Sequence, residues 1–267
     1  MSPQTGQRPS LDHIVILVSH STLLGISDKL QDVFIVAPGG NHAGGLTSNK
    51  LVFLQDGTYI EFIAFFDDVD PERRRKHRWG NLEEGTIIDW AFTSPSGDDF
   101  DTIRQQVLDK NAGFSYEEPA AWGRKKADGT MLEWTLSAPL DSSGNALRPG
   151  RLPFWCFDKT PRHLRVPYNT EPHWTQHPSG VRGVSSLSVS VPSGQVEDLM
   201  KVYEVMCGPA IADRDWSFEV PSGSTGSKHT VSLTGSATEE EVAITLTLSG
   251  PRREQIEILP GLILEIE

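Results

Sequence analysis

The order strand–helix–strand–strand–strand occurs twice in the first 160 residues, and this repetition constrains the fold more than any single element. LDHIVILV at 11–18 is an apolar run of strand length, rich in β-branched residues. STLLGISDKLQDV at 21–33 has apolar spacing for a short helix, and FIVA at 34–37 reads as a brief strand. The glycine-rich stretch 38–49 reads as a loop. SNKLVFLQ and TYIEFIAFF then form a hairpin around Asp56-Gly57. The second round begins with TIIDWAFT at 86–93. A helix over 98–111 follows, with Asp98 as its cap, and then come strands at 120–126, 131–138 and 152–158. The triplet Ile88-Asp89-Trp90 echoes Leu11-Asp12-His13.

Beyond residue 158 the pattern loosens. Residues 166–182 read as a linker on the surface. Residues 183–267 read as one degenerate βαβββ-like unit, with a strand at 183–191, an amphipathic helix at 194–206 and short strands after it. Ser186 stands where a first-strand ligand would fall, so this unit carries no site of its own. Residues 1–10 read as a disordered tail.

Charge and composition exclude some functions. The net charge of −12 argues against a nucleic-acid partner. The basic run Arg73 to Arg78 follows an acidic stretch and reads as a solvated loop face rather than an anion site. No apolar run approaches the length of a membrane span, and the polar first ten residues lack the core of a signal peptide. Cys156 and Cys207 have no metal-like spacing. A cytoplasmic chain with free thiols is expected.

LDHIVILV, then GGNHAGGLTSN, then DGTYIEFIAF, resembles the first module of the glyoxalase-like branch of the vicinal-oxygen-chelate superfamily. WGRKKADGTMLEW and LPFWCFD resemble its second half, so the likeness covers residues 11–165. It implies an α+β fold of tandem βαβββ modules, 11–66 and 86–158, whose mixed sheets curl into one cup. It also implies a divalent metal (zinc, iron, manganese or nickel) held by first- and last-strand residues. In module one these positions are His13 and Glu61, sound donors for such an ion. In module two they fall on Trp90 and Phe157, which cannot ligate, so His42, Asp158 or substrate oxygens would have to complete the shell.

Other residues fit a small-molecule site. His42 lies in the glycine-rich stretch and suits acid–base work, or is a plain loop histidine. Asn49 locks that stretch or contacts substrate. Trp90, Trp122, Trp134 and Trp155 could wall a flat ligand, and Arg124 and Arg151 could pair with an anion. No nucleophile elbow is present. Two functions follow. One is a lyase- or isomerase-type enzyme acting on an oxygenated metabolite, with Glu61, His13 and His42 moving a proton and stabilising an enediolate or oxyanion. The other is a sequestering protein that uses the same cup without turnover. The expected partners are a small molecule and, at most, a second copy of the chain in a homodimer, with neither nucleic acid nor membrane.

Overall fold

The computed structural model describes residues 8–94, 100–126, 128–223, 229–238 and 242–267. In the first module β1 (Ser10–Leu17) leads into α1 (His20–Lys29), then β2 (Ala37–His42), β3 (Thr47–Phe53) and β4 (Tyr59–Phe65). Ser19 caps α1 by accepting from the Thr22 amide. The Asp56-Gly57 turn forms as its sequence demands. Gly57 has a positive φ of 86°, and Asp56 Oδ1 accepts from the Thr58 amide at 2.9 Å. A short helix, α2 (Pro71–Lys76), joins the modules.

The second module repeats the first with β5 (Thr86–Thr93), α3 (Phe100–Asp109), β7 (Ala120–Lys125), β8 (Met131–Ser137) and β10 (Phe154–Asp158). The expected cap of α3, Asp98, lies outside the described residues. A minor ribbon of β6 (Phe114–Tyr116) and β9 (Pro139–Asp141) was not legible in the sequence, and a one-turn helix, α4 (Arg162–Arg165), follows β10.

The two modules close into an eight-stranded barrel, β1-β4-β3-β2-β7-β8-β10-β5. β1 runs parallel to β4, and β5 parallel to β10. β1 meets β5, and β2 meets β7, antiparallel. One strand differs from expectation. Residues 34–36 are not a strand, and the glycine-rich "loop" supplies β2 instead. Gly39 and Gly40 let this strand approach its neighbours closely. A Cβ on Gly39 would sit 2.1 Å from Asn49, and one on Gly40 2.9 Å from the Lys125 carbonyl.

The C-terminal unit contains β11 (Gly183–Pro192), α5 (Val196–Cys207), β12 (Asp215–Phe218), β13 (His229–Ser236), β14 (Ala243–Ser249), β15 (Glu254–Leu259) and β16 (Leu262–Ile266). Its sheet order, β12-β13-β11-β14-β16-β15, is two-fold. β11 is parallel to β13, β14 is parallel to β16, and β11 and β14 meet antiparallel. The unit is thus a pair of shortened modules, the second without a helix.

The main core lies between the outer face of the barrel and the inner face of this sheet. Trp90, Phe92 and Trp155 from the barrel pack with Tyr203 of α5 and Phe218 of β12. Ring centroids are 6.2 Å apart for Trp90–Tyr203 and 6.3 Å for Phe92–Phe218. Each such buried ring stabilises the junction by about 1.5–3 kcal/mol. Residues 8–10 are ordered rather than part of a free tail. Leu11 donates to the Glu219 carbonyl at 2.8 Å, and Glu219 donates to Pro9 at 3.1 Å. Among the described residues no helix is long and apolar enough to cross a membrane.

Candidate functional site

Strand alternation turns one set of side chains into the barrel: Val15 and Leu17 from β1, Ile63 and Phe65 from β4, Leu132 and Trp134 from β8, Phe154 and Cys156 from β10. Among them Ile63, Trp134, Phe154 and Cys156 line a cavity of about 380 Å³, within the usual range for a small-molecule site. His13, Tyr59, Glu61, Asn49, His42, Arg124, Trp122 and Trp134 all line it.

A β-bulge sets its polar floor. The β1–β5 register slips between Leu11 and His13, leaving Asp12 as the extra residue. Asp12 is fully buried, and its Oδ2 accepts from His13 Nδ1 at 2.7 Å. Burial by itself would raise the Asp12 carboxyl. Arg162 and Arg165, with the His13 hydrogen bond, overcome that and hold it well below the usual carboxylate range. Asp12 is therefore ionised. It fixes the His13 ring with Nδ1–H towards itself and Nε2 towards the cavity.

Glu61 faces that nitrogen, with Oε2 3.6 Å from His13 Nε2. Its Oε1 accepts from Asn49 Nδ2 at 2.6 Å and lies 3.7 Å from His42 Nε2. Asn49 Oδ1 in turn takes Arg124 Nη1 at 2.8 Å and the Gly40 amide at 3.1 Å. His42 Nδ1 is bonded to Thr47 Oγ1 at 2.8 Å. Burial lowers the His42 pKa, partly opposed by Glu61, so this ring is neutral near pH 7. Tyr59 stacks on His13, with centroids 4.6 Å apart, and its hydroxyl accepts from Arg165 at 2.7 Å. Burial raises the Tyr59 pKa well above its usual value, so the phenol keeps its proton and offers it as a donor.

The basic run is only in part a solvated face: Arg73, Arg75 and Lys76 are exposed, but the segment is helical and its end turns towards the cavity. Arg73 to Lys76 lie in α2, and Lys76, His77, Arg78 and Trp79 form part of the cavity wall. Arg78 pairs with the fully buried Asp89 at 2.7 Å, and Trp79 Nε1 donates to the same carboxylate at 2.8 Å. His77 is lowered to about 4 by burial and by the nearby Arg78.

Of the expected site residues, His13, His42, Glu61, Asn49, Trp122, Arg124 and Trp134 are brought together. Trp90, Trp155 and Asp158 are not. Trp90 and Trp155 are 0% exposed on the outer face, and Trp90 Nε1 donates to the Gly150 carbonyl at 3.1 Å. Asp158 binds Arg165, with Oδ1 accepting from Nε at 2.6 Å. Phe157 also points outward, so the inward positions of the second module are Ala91, Phe154 and Cys156. Arg151 does not line the cavity. Tyr59, Cys156, Arg165 and the end of α2 were missed. Alternation from Glu61 reaches Tyr59, whereas nothing local marks Arg165.

The donors do not fit a resident divalent ion. His13 Nε2 and Glu61 face each other, but the Asn49 amide stands between Glu61 and His42, with Nδ2 3.3 Å from His42 Nε2. Among the described residues no three His, Cys, Asp or Glu side chains are arranged to hold a metal. Cys156 is kept as a thiol by burial, so it does not supply the thiolate that a metal would take.

A family model described as a glyoxalase-like domain matches residues 11–202. A solved hypothetical protein from Staphylococcus aureus superposes with a TM-score of 0.65 at 12% identity, covering 97% of this chain and 99% of that one. A glyoxalase I variant from Zea mays (TM-score 0.36, 10% identity, covering 86% and 72%) and a catechol 2,3-dioxygenase (0.38, 12%, 92% and 77%) also match. The fold likeness rests on the first of these. No curated protein matches the chain in sequence.

Proposed function

The chain belongs to the glyoxalase-like domain family, and on that premise we propose that its cup is the active site of an enzyme that moves a proton on a small oxygenated organic molecule, of lyase or isomerase type. One observation carries this reading: an Asp12–His13 pair and the Glu61 carboxylate meet inside the barrel cavity. Among the described residues Glu61 Oε2 has no hydrogen-bond partner, which leaves it free to take a proton from a carbon beside a carbonyl. His13, held by Asp12, stands ready to pass that proton on. The charge that develops on the carbonyl oxygen is met by donors that need no rearrangement, the Tyr59 phenol and the Arg124 guanidinium.

A second reading, sequestration without turnover, is favoured by the other half of the cup. There Trp122, Trp134, Leu136 and Phe154 offer a broad apolar surface. Comparing wild type with Glu61→Gln on any bound carbonyl compound separates the two readings. An enzyme loses turnover about 100-fold or more. A sequestering protein shows no turnover in either form and nearly equal affinity.

A further inference from the structure

Among the described residues Arg124 is a buried cation with no carboxylate within ion-pair distance. It is 4% exposed and lines the cavity. Among the described residues its one hydrogen bond is Nη1 to Asn49 Oδ1, and its Nε–H has no acceptor. The neighbouring arginines are neutralised, Arg78 by Asp89 and Arg165 by Asp12 and Asp158. Glu61 could have done the same for Arg124. Instead Asn49 holds the two charges apart, taking Arg124 on its oxygen and Glu61 on its nitrogen.

An unpaired guanidinium is costly to bury. Its planar fork of donors is the natural match for a carboxylate, and a single such cation beside Glu61 suits a monoanion better than a phosphate dianion. Next to it, Trp122 and Trp134 face each other across the β7–β8 pair, the first 39% exposed at the mouth and the second 8%. Indole faces of this kind receive a flat body.

The geometry points to a planar organic monocarboxylate as the ligand, its acid group on Arg124 and its body against Trp122 and Trp134. This rests on reading the cup as the ligand site, but it needs no turnover and holds equally for an enzyme or a sequestering protein.

The test is tryptophan-fluorescence titration of the full chain with benzoate, 2-naphthoate and phenylpyruvate. Benzamide and 2-naphthamide serve as neutral matches, and inorganic phosphate as a plain anion. At least one carboxylate should bind saturably and about tenfold or more tighter than its neutral match, the scale of one charge-assisted hydrogen bond, and phosphate should not displace it. Arg124→Gln should abolish that preference, and Arg124→Lys should retain part of it. If Arg124→Gln does not fold by circular dichroism, the acid–amide comparison in wild type decides alone. Equal binding of acid and amide, no saturable binding by any of the three acids, displacement by phosphate, or a preference surviving in a folded Arg124→Gln would each overturn the proposal. Carboxylate binding without proton exchange would leave it standing and remove the enzymatic reading.

Discussion

Asp12→Asn is the most informative single change, because it removes one charge and keeps the shape. Asp12 Oδ2 accepts from His13 Nδ1 at 2.7 Å and from Arg165 Nη1 at 3.0 Å, while Oδ1 accepts from Arg165 Nη2 at 3.2 Å and from Arg162. An asparagine presents an amide N–H₂ to donors on at least one side. At least two charge-assisted bonds are lost, each worth about 1.5–3 kcal/mol. Arg165 retains Asp158 and Tyr59, which limits the damage. The expected loss is about 3–5 kcal/mol, the range for breaking a buried ion pair and a large share of a typical total stability. Urea unfolding followed by tryptophan fluorescence measures it. The Asp12 pKa is depressed in the folded protein. Its stabilisation is therefore fully present above the unfolded aspartate value of about 3.9, and is lost as pH falls through the lower folded value. The gap between wild type and Asp12→Asn should stay constant around neutrality and shrink below about pH 4. A loss under about 1 kcal/mol, or a gap that grows on acidification, would refute the reasoning.

Four further outcomes follow from the same geometry. Trp155→Ala should cost about 3–5 kcal/mol, as expected for an emptied core site. Trp122→Ala, at the mouth, should leave unfolding nearly unchanged and weaken ligand binding, as comparing the two unfolding curves with ligand titrations will show. His77 is lowered to about 4, so below about pH 6.5 the unfolded chain takes up a proton that the folded one refuses, and stability falls towards pH 4. His77→Gln should lose less stability than wild type between pH 7 and pH 5 in the same unfolding assay. Adding zinc, manganese or nickel ions to metal-stripped protein should not raise its melting temperature, since a cation bound only by the folded state would do so.

Much of the fold was legible because period-two patterns and Asp-Gly turns are local. β5 runs from Thr86 to Thr93 as read, and the hairpin around Gly57 forms where its dipeptide stands. The glycine-rich stretch was misread because Pro38, Gly39 and Gly40 disfavour strands on their own. Only the close approach to Asn49 and Lys125 in the closed barrel makes those glycines strand residues. The site was half legible. Alternation placed His13 and Glu61 on one face, but the echo of Leu11-Asp12-His13 in Ile88-Asp89-Trp90 misled. His13 lies on the inner face and Trp90 on the outer. His13 pairs across the strands with Ala91 rather than Trp90, so the echo is off by one residue, and a one-residue offset reverses every side chain. Arg165 was hidden because its partner Asp12 is 153 residues away in sequence.

The central claim is that Glu61 moves a proton inside the cup, and solvent deuterium exchange tests it without knowledge of the full reaction. Phenylpyruvate, or any carbonyl acid that binds, is incubated in D₂O with wild type, Glu61→Gln or His13→Ala, and loss of the C–H signal beside the carbonyl is followed by NMR. Wild type should accelerate exchange above the spontaneous rate, and Glu61→Gln should lower that acceleration about 100-fold or more. Exchange no faster than in protein-free solution for every acid that binds, or exchange undiminished in both variants, would contradict the account.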